Sequence, residues 1–229
     1  MSVSICVPTY NRESYLAQTL ESIYAQNYPA EVVIVDDGST DGTKAVCDRF
    51  PVQYFYLDRP HPASWVRAAN ASIRQATGDI CILQSAEVVH QGTVIEPLAH
   101  AIEASPMTFV IARVIAENEG LDYTGTSNPR PFFFLGAILR QHLLDIRGLD
   151  EDFVEQTYDD NDLADRLMRG LGLTPKFRDD IVGLHKWHPR SNVDESLRRM
   201  GALYYQKTMA WNRGEISHVR NLDREWGQL

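Results

Sequence analysis

Along its first half the chain alternates between short runs that are apolar throughout and longer stretches with one apolar stripe. Val3–Val7 and Val32–Val35 are continuous and rich in β-branched residues, the pattern of strands buried on both faces of a parallel sheet. Between them Leu16, Leu20 and Ile23 recur at i, i+4 and i+7, which predicts a helix with one buried face, ended by Asn27-Tyr28-Pro29. A second helix is expected from Asp41, a third strand over Val52–Leu57, a helical stretch up to Thr77-Gly78 and a fourth strand over Ile80–Leu83. The order β-α-β-α-β-α-β predicts an α/β fold, a doubly wound and mostly parallel sheet with right-handed crossovers flanked by helices.

The second half is less regular. A strand is expected at Thr108–Val114, then loops from Gly120 to Pro131, the apolar run Phe132–Leu139 and a turn at Gly148-Leu149-Asp150. A helix should run from about Asp159 to Gly170, and the tail from Glu195 reads as helix. Open α/β sheets bind ligands beyond the carboxyl ends of their strands. That singles out Pro8-Thr9-Tyr10-Asn11, Asp36-Asp37-Gly38-Ser39 and Gln84-Ser85-Ala86-Glu87.

Composition changes this picture little. At 44% hydrophobic and 23% charged residues, the 229-residue chain is ordinary globular material. Its net charge of -9 favours solubility and argues against nucleic acid as the main partner, because a phosphate backbone rewards a positive surface. Residues 150–165 hold eight acids and no Lys or Arg, either a solvated face or a catalytic cluster. Three cysteines without a CxxC pair give no disulfide framework, so a reducing, cytoplasmic compartment is expected. With a strand expected from Val3, no signal peptide is expected, and the longest apolar run falls far short of the roughly 18 residues of a transmembrane helix.

Val3–Asn11 and Val32–Asp41, together with Asn70–Ile80, Gly148–Phe153 and Asp159–Arg166, resemble in order the motifs of family 2 glycosyltransferases, which have the GT-A fold. The resemblance implies a single domain over residues 1–190. Its nucleotide-binding half would be residues 1–90 and its acceptor half residues 91–190, followed by a helical tail over 191–229 that could gate the site or pair subunits. It also implies an inverting transfer from a nucleotide-sugar donor, a UDP-sugar by resemblance alone, to a carbohydrate or glycoconjugate acceptor.

The residue chemistry is compatible with that expectation. Tyr10 either stacks on a base or packs under the next helix. Asp36 and Asp37 can accept the base N–H and ribose hydroxyls, or serve a turn ahead of an Asp41 cap. Arg67 either reaches the nucleotide or is a solvated helix residue. By resemblance Asp160 is the second acid of the motif pair and the general base. Asp159 and Asp162 would position the acceptor or hold the loop. Trp187 and Phe132–Phe134 could form an apolar sugar platform, although Phe133 reads as core.

One motif departs from the family. Gln84 and Ala86 stand where members carry Asp-x-Asp to hold a divalent metal on the diphosphate, leaving Glu87 as the only local carboxylate. His185 and His188 resemble the family's late metal-binding His. A Glu and His set would favour Mn²⁺ over Mg²⁺, and a fixed cation such as Arg67 or Lys186 is the alternative. Two other functions stay open: a non-catalytic nucleotide- or sugar-binding module with a decayed metal site, and a sugar nucleotidyltransferase. The second lacks support from the glycine-free loop after the first strand.

Overall fold

A computed structural model describes residues 1–58, 65–155, 157–189 and 193–229. Its first half follows the alternation. Strand β1 (Val3–Thr9), helix α1 (Glu13–Tyr24), β2 (Ala30–Asp36), α2 (Thr43–Cys47), β3 (Gln53–Tyr56), α3 (Trp65–Gln75) and β4 (Ile80–Gln84) succeed one another. Then come β5 (Val88–Gln91), α4 (Ile95–Ala104), β6 (Thr108–Ala116), β7 (Asp122–Thr124), β8 (Leu135–Leu139) and α5 (Arg140–Asp145). Helix α6 (Asp159–Asp165) runs into a π-helical turn (Arg166–Gly170), followed by β9 (Thr174–His185) and α7 (Val193–Asn212).

The strands form one sheet in the order β3-β2-β1-β4-β8-β6-β9-β5, with β7 added to β6. Neighbours are parallel from β3 to β4. Beyond β4 the sheet is mixed, since β8 runs antiparallel to β4 and β6, and β5 antiparallel to β9, while β6 and β9 are parallel. Successive side chains of a strand point to opposite faces, and here both faces are covered. Ile5 and Val7 of β1 meet Leu16 and Leu20 of α1 and Leu98 of α4. Cys6, between them, faces the layer built from α3, Leu163 of α6 and Phe153. This is why the strands read as unbroken apolar runs.

The tail differs from a simple helix. Its helical part ends at Asn212, and residues 213–229 fold back onto the domain, burying Trp226, Arg220 and Asn221. The Gly148–Phe153 loop lies beneath them. Asn70 of α3 accepts a hydrogen bond from the Leu149 N–H (2.8 Å) and donates to the Leu149 carbonyl (2.9 Å) and Glu151 Oε1 (3.0 Å). All three cysteines are buried and unbridged. Among the described residues no helix is long and apolar enough to cross a membrane.

Gly148 allows this close approach. Its φ is +68°, and an added Cβ would overlap Asn70 Oδ1 and come within 2.6 Å of Trp226 Cζ3. Gly148→Ala should therefore lower stability by more than about 1 kcal/mol. Urea denaturation checks this; an unchanged midpoint would mean that the loop is not held in this way.

Candidate active site

The loops after β1 and β2 are knitted into one surface. The Asn11 N–H donates to Ser39 Oγ (2.7 Å), the Thr40 N–H to Asn11 Oδ1 (2.8 Å) and the Arg12 N–H to Thr43 Oγ1 (2.8 Å). The turn holds Asn11 at φ 50°, a conformation Asn tolerates better than most residues. Pro8 and Thr9 close β1, paired with Val35 and Asp36, and the Tyr10 ring is 41% exposed beside them.

The two strand-end acids of β2 are not equivalent. Asp36 is fully buried: its Oδ1 accepts the Ser39 N–H (2.8 Å) and its Oδ2 the Tyr54 hydroxyl (2.7 Å). Burial and this carboxylate push the Tyr54 phenol well above its ordinary range. Asp36 thus braces the loop. Asp37 is buried as well, with its N–H donated to the Thr9 carbonyl (2.8 Å). Arg67 is half-exposed on the first turn of α3 and lies 3.6 Å from the buried Glu151, which ties it to the Gly148–Phe153 loop.

At the end of β4, Gln84 points inward. Its Nε2 donates to the Val88 carbonyl (2.9 Å) and its Oε1 lies 2.9 Å from His90 Nε2. Burial lowers His90 to about 4, so the imidazole is neutral at pH 7 and Nε2 is the donor. Ala86 is buried, and its carbonyl accepts the Thr19 hydroxyl (2.7 Å). Glu87, His185 and His188 do come together: His188 Nε2 lies 3.6 Å from Glu87 Oε1, and the two imidazole centroids are 5.4 Å apart. Yet Glu87 is already paired with the Arg12 guanidinium, and His185 sits among Tyr123 and Phe134 at ring distances of 5.3 and 5.2 Å.

Among the described residues, no group of three or more His, Cys, Asp or Glu is arranged to hold a metal ion. A lone carboxylate neutralised by a guanidinium does not fit a hard divalent cation. Trp187 is 51% exposed, its N–H donated to Glu117 (3.0 Å), whereas Phe133 is core and packs on Phe109 at 5.7 Å.

The acidic motif sits on strained backbone. Thr157 and Tyr158 have φ of 92° and 61°, a conformation that is an outlier for a β-branched residue. Two features hold Tyr158 there. Its ring stacks on Tyr204 at 5.4 Å, and it approaches Gly201 closely enough that an added Cβ would lie 3.0 Å from Cε2. Asp159 follows, buried, with one carboxyl oxygen unpartnered. Asp160 accepts the Phe133 N–H at 3.3 Å, while the Phe134 carbonyl accepts the Ser85 N–H at 3.0 Å. The base candidate is therefore tethered to the backbone that lies against the end of β4.

Burial raises the Asp159 carboxyl to about 7, and the Asp162 charge adds to this. Burial, then the Asp159 charge, lifts Asp160 well above the usual carboxylate range. Two carboxyls in such a pair share protons, so the titration belongs to the pair.

Residues 4–152 match the model of Glycosyl transferase family 2. The chain belongs to that family. Over 114 residues this family 2 chain is 33% identical to the glycosyltransferase GlyG of Streptococcus pneumoniae, covering 48% of the chain and 38% of that protein. It is 22% identical to the uncharacterized glycosyltransferase YfnE of Bacillus subtilis, with 97% of the chain and 72% of that protein covered. An Azorhizobium caulinodans N-acetylglucosaminyltransferase matches at 31% identity over 51% of the chain; the chain spans only 38% of GlyG's length and 31% of this enzyme's. The mannosyltransferase PcManGT of Pyrobaculum calidifontis, solved with GDP-Man and Mn²⁺, superposes with a TM-score of 0.68 at 24% identity, covering 90% of this chain and 64% of that one. TarS of S. aureus gives 0.68 at 19%, covering 88% and 39%. These structures share the GT-A architecture, a mixed curled sheet flanked by helices.

Several residues of this family 2 site escape a sequence reading. Arg166 is fully buried, with Nε 2.6 Å from Asp162, and Arg220 and Lys207 lie against Asp150 at 3.1 and 2.7 Å. The one signal for them is the run of acids at 150–165 itself, which cannot be buried unless cations from elsewhere meet it.

The raised carboxyl has a consequence for stability. The folded state binds the Asp159 proton up to about pH 7, whereas the unfolded chain releases it near pH 4, so stability falls as pH rises across that interval. Asp159→Asn removes the buried charge. It should stabilise the protein at pH 7.5 by more than roughly 1 kcal/mol, with the gain fading towards pH 4. Urea titrations at the two pH values check this; a gain independent of pH would refute the raised carboxyl.

Proposed function

We propose that this chain is an inverting glycosyltransferase that moves a sugar from a nucleotide-sugar donor, a UDP-sugar, to a hydroxyl of a carbohydrate or glycoconjugate acceptor. Family membership supports sugar transfer, and TarS is solved with UDP and UDP-GlcNAc, PcManGT with GDP-Man. The observation that carries the reading is the tether of Asp160, next to the buried Asp159, to the Phe133 N–H of the backbone that borders the end of β4. In our reading residues 1–90 hold the nucleotide, with Tyr10 against the base and Asp37 on its polar groups. Residues 91–190 present the acceptor, with Trp187 as an exposed sugar surface.

The reaction is one displacement. Asp160 takes the acceptor hydroxyl proton as the acceptor oxygen bonds to the anomeric carbon, and the bond from that carbon to the diphosphate breaks, its electron pair leaving with the nucleoside diphosphate. Asp160 accepts that proton only when deprotonated, and its carboxyl is raised well above the usual range, so turnover should rise with pH above the range of an ordinary carboxylate.

Asp160→Asn should leave nucleotide binding intact and lower transfer by at least roughly a hundredfold. Release of nucleoside diphosphate from a panel of nucleotide sugars, with and without sugar acceptors, provides the assay. Near-normal turnover would remove Asp160 from the role of base, and a wild-type chain that binds donors but never turns them over would favour a binding module. Gln84 and Ala86 motivate that second reading, since neither offers a carboxylate.

The divalent metal is tested separately. PcManGT holds Mn²⁺, and here Glu87, His185 and His188 would be its ligands only once phosphate oxygens joined them and Arg12 gave way. We therefore expect no saturable Mn²⁺ binding to the free chain in an electron paramagnetic resonance titration. Saturable binding without nucleotide would mean that the three residues assemble an ion site unaided.

A further inference from the structure

The acids of residues 150–165 are met by cations from three segments of the chain. Asp162 Oδ2 accepts from Arg166 Nε at 2.6 Å, one turn along the same helical segment. Its Oδ1 lies 3.4 Å from Nη2 of Arg220, a residue 58 positions further along the chain and itself buried. Arg220 Nε also lies 3.1 Å from Asp150 Oδ2, an ion pair without hydrogen-bond alignment. Lys207 of α7 joins Asp150 (2.7 Å) to Asp152 (2.6 Å). Nearby, the Tyr204 hydroxyl donates to Asp165 at 2.7 Å.

Around Arg220 the segment 213–229 is fixed to the Gly148–Phe153 loop. Asn221 donates to the Arg147 and Leu149 carbonyls (2.8 and 2.7 Å) and accepts the Glu151 N–H (3.0 Å). The Gly227 N–H donates to Glu151 Oε1 at 2.8 Å, the oxygen that Asn70 of α3 also holds. The segment is thus bonded to the loop under the nucleotide half and, through a single side chain, to α6.

We propose that residues 213–229 are a positioning strap for the candidate base pair and that Arg220, through Asp162, is the residue by which the strap acts. This rests on the functional reading above, in which Asp159 and Asp160 face the acceptor. Arg220 touches no reacting atom. It fixes the helix that begins with the base, and it offsets the Asp162 charge, which otherwise bears on Asp159. A 1 Å displacement of a reacting group is enough to cost turnover heavily.

Arg220→Gln in the full chain tests this. Turnover at pH 7 should fall roughly ten- to hundredfold with the donor KM unchanged, and the acid limb of the pH profile should move to higher pH. Carboxyl ¹³C resonances of Asp159 and Asp160 give a readout free of substrate: their titration midpoint should move up in Arg220→Gln and partway in Arg220→Lys. Trp226→Phe, which keeps Arg220 and the Asn221 bonds that fix it, should leave the midpoint in place. A midpoint unmoved in Arg220→Gln, or moved equally by Trp226→Phe, overturns the proposal. If Arg220→Gln does not fold, an unmoved midpoint in Arg220→Lys overturns it instead. A wild-type chain that turns over no nucleotide sugar defeats the functional reading, while the carbon titration still decides the strap.

Discussion

Placing three carboxylates within the first turn of one helix, with Asp159 and Asp162 buried and Asp160 partly so, is the constraint around which the acceptor side is organised. Helix dipoles favour acids at this end, but by no more than roughly 1 kcal/mol each at exposed sites, too little for two buried charges and a third half-buried beside them. The chain answers in two ways. Asp162 takes Arg166 and Arg220 as partners. Asp159 and Asp160 face no cation within ion-pair distance among the described residues, and burial favours their protonated forms instead. A turn held in left-handed backbone by Tyr204 and Gly201 joins this arrangement to α7.

How much of this could be read from the sequence follows from how local each cause is. The parallel half was legible because both of its faces are buried, so the stretches Ile5–Val7, Val32–Val35 and Ile80–Leu83 of β1, β2 and β4 are apolar throughout. β5 and α4 were missed. The first is four residues long and alternates weakly, and the second follows it without a distinct boundary. β9 reads poorly because its first half is polar and exposed, and pairs with β6 across a register shift. The acidic motif stood out as a charge run, whereas its cations lie up to 58 residues away and no spacing rule reaches them.

At the end of β4 the sequence showed which acids were missing but not what the replacements do. Gln84 satisfies both ends of its amide inside the fold, through Val88 and the neutral His90, a pairing that a charged carboxylate would disturb. The Glu87–Arg12 pair likewise uses the remaining carboxylate to fasten the loop after β1. These contacts make the strand end part of the scaffold.

The folded-back segment also bears on when the protein becomes complete during synthesis. Trp226 belongs to the same buried cluster as Phe153 and Leu163, and Arg220 reaches the motif helix. While the nucleotide half can pack as it leaves the ribosome, the acids of α6 lack one of their cations until residue 220 has cleared the exit tunnel. Residue 220 must therefore emerge before the acceptor side is finished, and a released chain cut near Asn212 would carry every strand of the described sheet beside an unsettled cluster of charge.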